Sequence, residues 1–380
     1  MRPESIAEAA DLLAVLGKAG DPICPTGTGS RLLWGAGTAG GSTVDTSGLA
    51  RIVRHDAGDY TAELEAGVPL AHAQEVFAAA GQWLALDPPG GGTIGGLVAS
   101  ADSGPARHRY GSARDLVIGM TVVLSDGTVA RSGGNVIKNV AGYDLGKLFT
   151  GSYGTLGLIA TVTVRLHPLP AATATASATS DDPETLAAAV ALLARRPLEA
   201  LSLDASWREG RGTVLVRFTG LTAVEQATAA AALLGDLHDV AVTPEDSPLW
   251  TAQAAAQRSA DGAVLGVSST PTDLARILRI AAEAGGAAVS RAALGRTWIA
   301  LPAGPDLAVQ VATVRQLLGR PVTILDGADR VLPPMSTVDD AGDGRGWPVP
   351  DPGALQVMQR VKARFDPARI FRPGCYVGGI

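Results

Sequence analysis

Apolar residues near the start of the chain fall on one helical face. Ile6, Leu12, Leu13 and Leu16, set among Glu4, Glu8 and Asp11, predict an amphipathic helix. A short segment, DPICP, leads into the loop TGTGS. STVDTS and RIVRHD then read as short strands, and YTAELEAG alternates as a strand does. PLAHAQEVFAAAG returns to the helical period, with Pro69 near its start. The run TIGGLVASADSG predicts a small-residue helix packed close to a neighbour. VIGMTVVLSDGTVARSG predicts a hairpin that turns at Asp126-Gly127. GYDLGKLFTGS follows as a helix and GTLGLIATVTVRLHP as a buried strand.

The texture changes at Pro168-Leu169-Pro170. Beyond it the strands ATATASATS, LEALSLDAS, GTVLVRFTG, AVLGVSS, TWIALPAG and PVTILDG are interleaved with Ala- and Leu-rich helices. This recurrence predicts a ferredoxin-like α/β cap. Val331 to Asp351 is loop-rich, and the helix ALQVMQRVKARFDP and the tail ARIFRPGCYVGGI close the chain. The expected class is α+β rather than a regular βαβ series. Three stretches are expected: a first domain over 1–170, the cap over 171–330, and a segment over 331–380 that returns to the first.

Composition narrows the function. In 380 residues, 46% apolar residues allow a large core, and two domains are the natural expectation. A net charge of -6 without a basic run argues against a nucleic-acid partner. Cys24 and Cys375 have no metal-ligand spacing, which argues against an iron–sulfur or zinc site and fits a reduced, cytoplasmic protein. The acids of the first helix do not suit a signal peptide. No uncharged run approaches the ~20 residues that span a bilayer, so membrane contact is expected to be peripheral, at the inner face, or through a partner.

The glycines carry the chemistry. PTGTGS (Pro25 to Ser30) offers several backbone N–H groups, which can form a nest for a pyrophosphate or an ordinary tight turn. Gly90, Gly92 and Gly95 satisfy GxGxxG, with Asp115 downstream. However, Asp87-Pro88-Pro89 precedes them where a dinucleotide fingerprint needs a strand, so a nicotinamide cofactor is rejected. GYDLGK lacks the spacing of a nucleotide P-loop and the Ser/Thr after Lys147. Thr93-Ile94-Gly95-Gly96 opens a helix whose backbone can approach a ligand. Arg107, His108 and Arg109, bracketed by Gly104 and Gly111, could balance a phosphate or a carboxylate, or could be a solvated loop.

Taken in order, PTGTGS, TIGG, GPARHRYGSARDLVIG and GGNVIKNVAGYDLGKLFTGSYGTLG resemble the PCMH-type FAD-binding domain of vanillyl-alcohol-oxidase-type flavoenzymes. More narrowly they resemble the FAD-binding subunit of bacterial glycolate oxidase. FDPARIFRPG is similar to that family's C-terminal segment, which returns to the FAD domain. The resemblance covers about residues 20–170 and the last 30 or so. It implies that Gly27, Thr28, Gly29 and Ser30 hold the FAD pyrophosphate, with Pro25, Thr26 and Pro89 beside the cofactor. It also implies that Thr93, Ile94, Gly95, Gly96, Ser103, Gly104 and Gly111 line it. Gly157 and Ile159 would contact the adenine end, and Pro373 and Gly374 would close over the flavin.

Departures shape the functional expectation. The first loop lacks the histidine that attaches FAD in some relatives, so binding is expected to be noncovalent. Tyr153 stands where many catalytic relatives carry Glu, and Arg372 where the family has Asn. The chain's histidines are His55, His72, His108, His167 and His238. None forms the metal-binding HxGDGNxH motif of 2-hydroxy-acid dehydrogenases, so no metal is expected. Two readings stay open. In one, the chain oxidises a 2-hydroxy acid, glycolate or D-lactate. Arg107, Arg109 and Lys138 are then candidate cations for the carboxylate, His108 a candidate base, and Tyr143 a further candidate. In the other, it is an FAD-carrying structural or electron-transfer subunit. A related FAD-containing partner would then oxidise the substrate, and an iron–sulfur subunit would take the electrons.

Overall fold

The structure is a computed structural model, and it describes residues 1–35, 41–134, 144–332 and 346–380. It is a mixed helix-and-sheet fold with two main sheets. The smaller is antiparallel with five strands, in the order Ile52–Asp56, Thr61–Glu65, Leu158–Arg165, Val117–Val123, Val129–Gly133. Leu158–Arg165 lies at its centre and is buried along its first seven residues, as its nearly unbroken apolar and β-branched sequence requires. One face packs Leu64, Met120, Val122 and Val162 against Phe77, Leu97 and Phe149. The other packs Val123, Leu158 and Ala160 against Leu13 and Leu16 of the first helix, Ile6–Ala19.

The segment before the PTGTGS loop, read from sequence as a connector, is a strand. Ile23–Thr26 pairs in parallel with Ser42–Asp45. The C-terminal tail lies along its other side: the Ile23 N–H donates to the Ile370 carbonyl at 2.7 Å, and the Arg372 N–H donates to the Ile23 carbonyl at 2.9 Å.

The second sheet has eight antiparallel strands and contains the ferredoxin-like pattern twice. The first unit runs Thr173–Ser180, helix Pro183–Ala194, Ser202–Arg208, Arg211–Thr219, helix Ala223–Ala232, His238–Pro244. The second runs Ala263–Ser268, helix Leu274–Glu283, Ala287–Arg291, Arg296–Leu301, helix Leu307–Leu318, Val322–Ile324. They join where Ser202–Arg208 pairs with Ala287–Arg291, with Ala205 opposite Ser290. The doubling was not legible in the sequence. His238–Pro244 is an exposed edge strand without a buried stripe, and AAVSR has no bulky residue to mark it.

Residues from all four of these helices share one core cluster with one face of the eight-stranded sheet; among its members are Leu186, Val190, Leu203, Trp207, Val216, Ile277, Ile299 and Val314. Strand alternation sends Asp204, Arg217, Arg291 and Trp298 to the opposite face. That face meets the first part of the chain. Trp34 packs with Val264, Trp298 and Leu325, and Arg258 donates to the Ser30 carbonyl at 3.1 Å. No helix among the described residues is long and apolar enough to cross a membrane.

The final helix, Pro352–Phe365, is capped by Asp351 and carries Lys362 inward. Lys362 Nζ donates to the carbonyls of Thr155 (2.6 Å) and Phe371 (2.8 Å) and to Asp366 Oδ2 (2.8 Å). Asp366, fully buried, also accepts from the N–H groups of Ile370 and Phe371. Burial pulls the Lys362 pKa down, while the Asp366 carboxylate opposes it. Lys362→Met strands the Asp366 charge, and the expected loss is about 3–5 kcal/mol in a urea unfolding curve. A loss below about 1 kcal/mol would show that the clamp does not hold the tail.

Candidate functional site

A cleft of about 690 Å³, counted with its open mouth, is walled by segments far apart in the sequence. One wall is the loop Pro25–Ser30 with Arg31 and Leu32. A second is the start of the helix Ile94–Ser100, and a third is Tyr153 to Ile159. Arg372 comes from the tail. The loops touch because side chains are missing where they meet. A Cβ on Gly27 would lie 2.2 Å from Thr93 Oγ1, and one on Gly95 would lie 2.6 Å from the Ala66 Cβ. Thr93 caps its helix by accepting from the Gly96 N–H at 3.4 Å.

Two buried arginines fix the polar part of the cleft. Arg31 donates through Nε to Asp102 (2.8 Å), through one terminal nitrogen to Ser30 Oγ (2.6 Å) and through the other to the Pro89 carbonyl (3.0 Å). Arg372 donates to the carbonyls of Tyr153 (2.8 Å) and Leu32 (2.9 Å), and its Nε has no partner. Tyr153 packs edge-on against Trp347, with ring centroids 4.6 Å apart, and against Tyr376 at 5.4 Å. Burial pushes its hydroxyl pKa well up. The arrangement offers main-chain N–H groups, small side chains and a buried cation that has no counter-ion among the described residues. It suits an elongated ligand bearing phosphate, and FAD fits that description.

Of the expected cofactor residues, Pro25, Thr26, Gly27, Thr28, Gly29, Ser30, Thr93, Gly95, Gly96, Gly157 and Ile159 share this cleft. Ile94 is buried in the core beneath it. Ser103, Gly104, Gly111, Pro373 and Gly374 lie outside its walls. Pro89 lines a second cavity, of about 880 Å³, with Asp87, Arg217 and Trp250.

Arg107, His108 and Arg109 do not line the cleft. Arg107 is half-buried beside Ser103 Oγ at 3.3 Å, and desolvation lowers its pKa. His108 has a buried Nδ1 without a partner, and desolvation lowers its pKa too. Arg109 turns toward the Glu199 carbonyl at 2.8 Å. Lys138 and Tyr143, with most of the KNVAGYD motif, lie outside the described residues, as does Gly342-Asp343-Gly344. Sequence reading missed Arg296. It stacks on Trp298 (5.4 Å) and donates to Ser268 Oγ at 2.9 Å, and desolvation lowers its pKa. Its only sequence signal was its register in the strand Arg296–Leu301, on the face opposite the helices. Among the described residues no group of His, Cys, Asp and Glu converges to hold a metal ion.

Residues 1–133 match the family described as "FAD binding domain". The chain carries an FAD-binding domain. FAD is its cofactor. In Escherichia coli, the glycolate oxidase subunit GlcE is 37% identical over 154 residues, which are 40% of this chain and 44% of that one. A probable mitochondrial D-lactate dehydrogenase of Danio rerio is 34% identical over 172 residues, 44% of this chain and 35% of that one. The chain thus spans less than half the length of these relatives. A solved alkyldihydroxyacetonephosphate synthase shares the fold with a TM-score of 0.72, at 15% identity, over 98% of this chain and 76% of that one.

Asp87 faces Arg217 of the eight-stranded sheet across the second cavity. It is half-buried, accepts from the Ala106 N–H at 3.0 Å, and desolvation pushes its pKa up to about 6 against the pull of Arg291. Because the folded value lies above the ordinary 3.8, its contribution to stability is full below that value. It is lost as pH rises through about 6. Asp87→Asn removes this slope. Relative to the variant, wild type should lose up to roughly 2–3 kcal/mol between pH 4 and 7 in denaturant unfolding. Parallel pH profiles would contradict the assignment.

Proposed function

We infer that the protein is an FAD-dependent oxidoreductase that converts a 2-hydroxy acid, glycolate or D-lactate, to the 2-oxo acid, as the FAD-binding subunit of a glycolate-oxidase-like complex. The observation that carries the reading is the glycine-walled cleft, most of whose walls come from the residues that match the FAD-binding domain. In this reading residues 1–170 and 331–380 hold the cofactor and residues 171–330 cover it.

The N–H groups of Gly27 to Ser30 hold the diphosphate, and FAD is bound noncovalently because Pro25–Ser30 contains no histidine. The bound flavin supplies the hydride acceptor. Arg107, beside Ser103, and Arg296, stacked on Trp298, are the cations that hold the substrate carboxylate in this reading. His108, whose pKa burial lowers, is the candidate acceptor for the hydroxyl proton.

A second reading makes the chain an FAD-carrying electron-transfer subunit. Its related FAD-containing partner would oxidise the substrate, and an iron–sulfur subunit would take the electrons. It is favoured by Tyr153 in place of the relatives' Glu and by the missing histidine motif.

Anaerobic addition of glycolate or D-lactate to the FAD-loaded chain separates the two. Bleaching of the flavin supports catalysis by this chain, and the KM of Arg296→Met should then rise roughly 30-fold, as expected for a lost charge-assisted contact of about 2 kcal/mol. A flavin that stays oxidised alone but bleaches with the partner supports the second reading. No reduction in either state contradicts both.

A further inference from the structure

We propose that Arg372 is a fixed counter-cation for the cofactor's diphosphate, delivered to the cleft by the C-terminal tail. The proposal rests on the FAD reading above and adds a residue that holds the cofactor by charge. The tail reaches the cleft because Phe371 is fully buried and Arg372 pairs through its N–H with Ile23, four residues before the chain turns at Gly27.

Arg372 is 6% exposed and lines the same cleft as Gly27 to Ser30. Its terminal nitrogens donate to two main-chain carbonyls, of Tyr153 and Leu32, and its Nε is unpartnered. Neighbouring buried arginines have carboxylates: Arg31 has Asp102, Arg258 has Asp326 and Arg291 has Asp204. Arg372 has none among the described residues. A buried cation without a counter-ion is unfavourable, and the cleft it faces offers N–H groups suited to an anion. A diphosphate placed there completes both requirements. The residue also holds a left-handed backbone, φ 42°, which a non-glycine residue keeps only where its surroundings enforce it.

The test titrates apoprotein of the full chain with FAD and with riboflavin, which lacks phosphate, and follows thermal unfolding with inorganic diphosphate. Diphosphate should raise the unfolding midpoint of wild type. Arg372→Met should lose this protection and bind FAD at least about 30-fold more weakly, with riboflavin affinity unchanged. Arg372→Lys, which keeps the charge, should recover part of both. Equal loss of FAD and riboflavin binding, or unchanged FAD affinity, would overturn the proposal, as would a wild-type midpoint indifferent to diphosphate. Wild type that binds riboflavin and FAD equally would overturn it too, while leaving the flavin reading standing. Wild type that binds neither flavin would overturn the FAD reading and this proposal with it.

Discussion

The contact between Gly27 and Thr93 governs the site. The two loops approach so closely that a methyl group on Gly27 would have to displace Thr93, and the helix itself sits so close to Ala66 that one on Gly95 would have to displace that residue. This approach seats the Pro25–Ser30 loop on the first turn of the small-residue helix and leaves main-chain groups, rather than side chains, along the cleft. A larger residue at Gly27 would push the loop away from the helix and separate two walls of the cleft at once. Arg31 reinforces the same junction from behind, tying Ser30, Pro89 and Asp102 to one guanidinium.

The rest of the molecule presents two surfaces to this junction. The tail is held by the buried Lys362–Asp366 clamp and runs beside Ile23–Thr26, so residues at opposite ends of the chain share one wall. The doubled ferredoxin-like sheet keeps its apolar face for its helices and turns its polar face to the glycine loops. The Asp204–Arg291 pair, fully buried, reaches Ser103 through Gln257, so the two parts are joined by a hydrogen-bonded path as well as by the Trp34 packing. Charges at this seam are mostly paired. Among the described residues Arg107, Arg296 and Arg372 have no carboxylate in an ion pair, and of the three only Arg372 lines the cleft.

Much of this was legible in the sequence because it is written locally. PTGTGS, TIGG and the Asp126-Gly127 hairpin use small residues and turn chemistry whose meaning does not depend on distant partners. The central strand Leu158–Arg165 announced itself by its apolar run. What stayed hidden depends on long-range pairing. Ile23–Thr26 is a strand because Ser42–Asp45 and the tail flank it, and nothing in ICPT says so. The second ferredoxin-like unit rests on AAVSR, whose small residues suffice only because its neighbours supply the bulk. Arg372 was visible as a departure from a resembling motif, yet its place in the cleft follows only from the tail's path. Pro89 lines the second cavity and Gly104 packs against Asp87, and neither lines the cleft.

A crystal structure of the protein grown with FAD tests the central claim most directly. The account predicts the diphosphate against the main chain of Gly27 to Ser30, with no bond from protein to flavin. Electron density that places the diphosphate elsewhere, for example in the cavity beside Trp250, would contradict it.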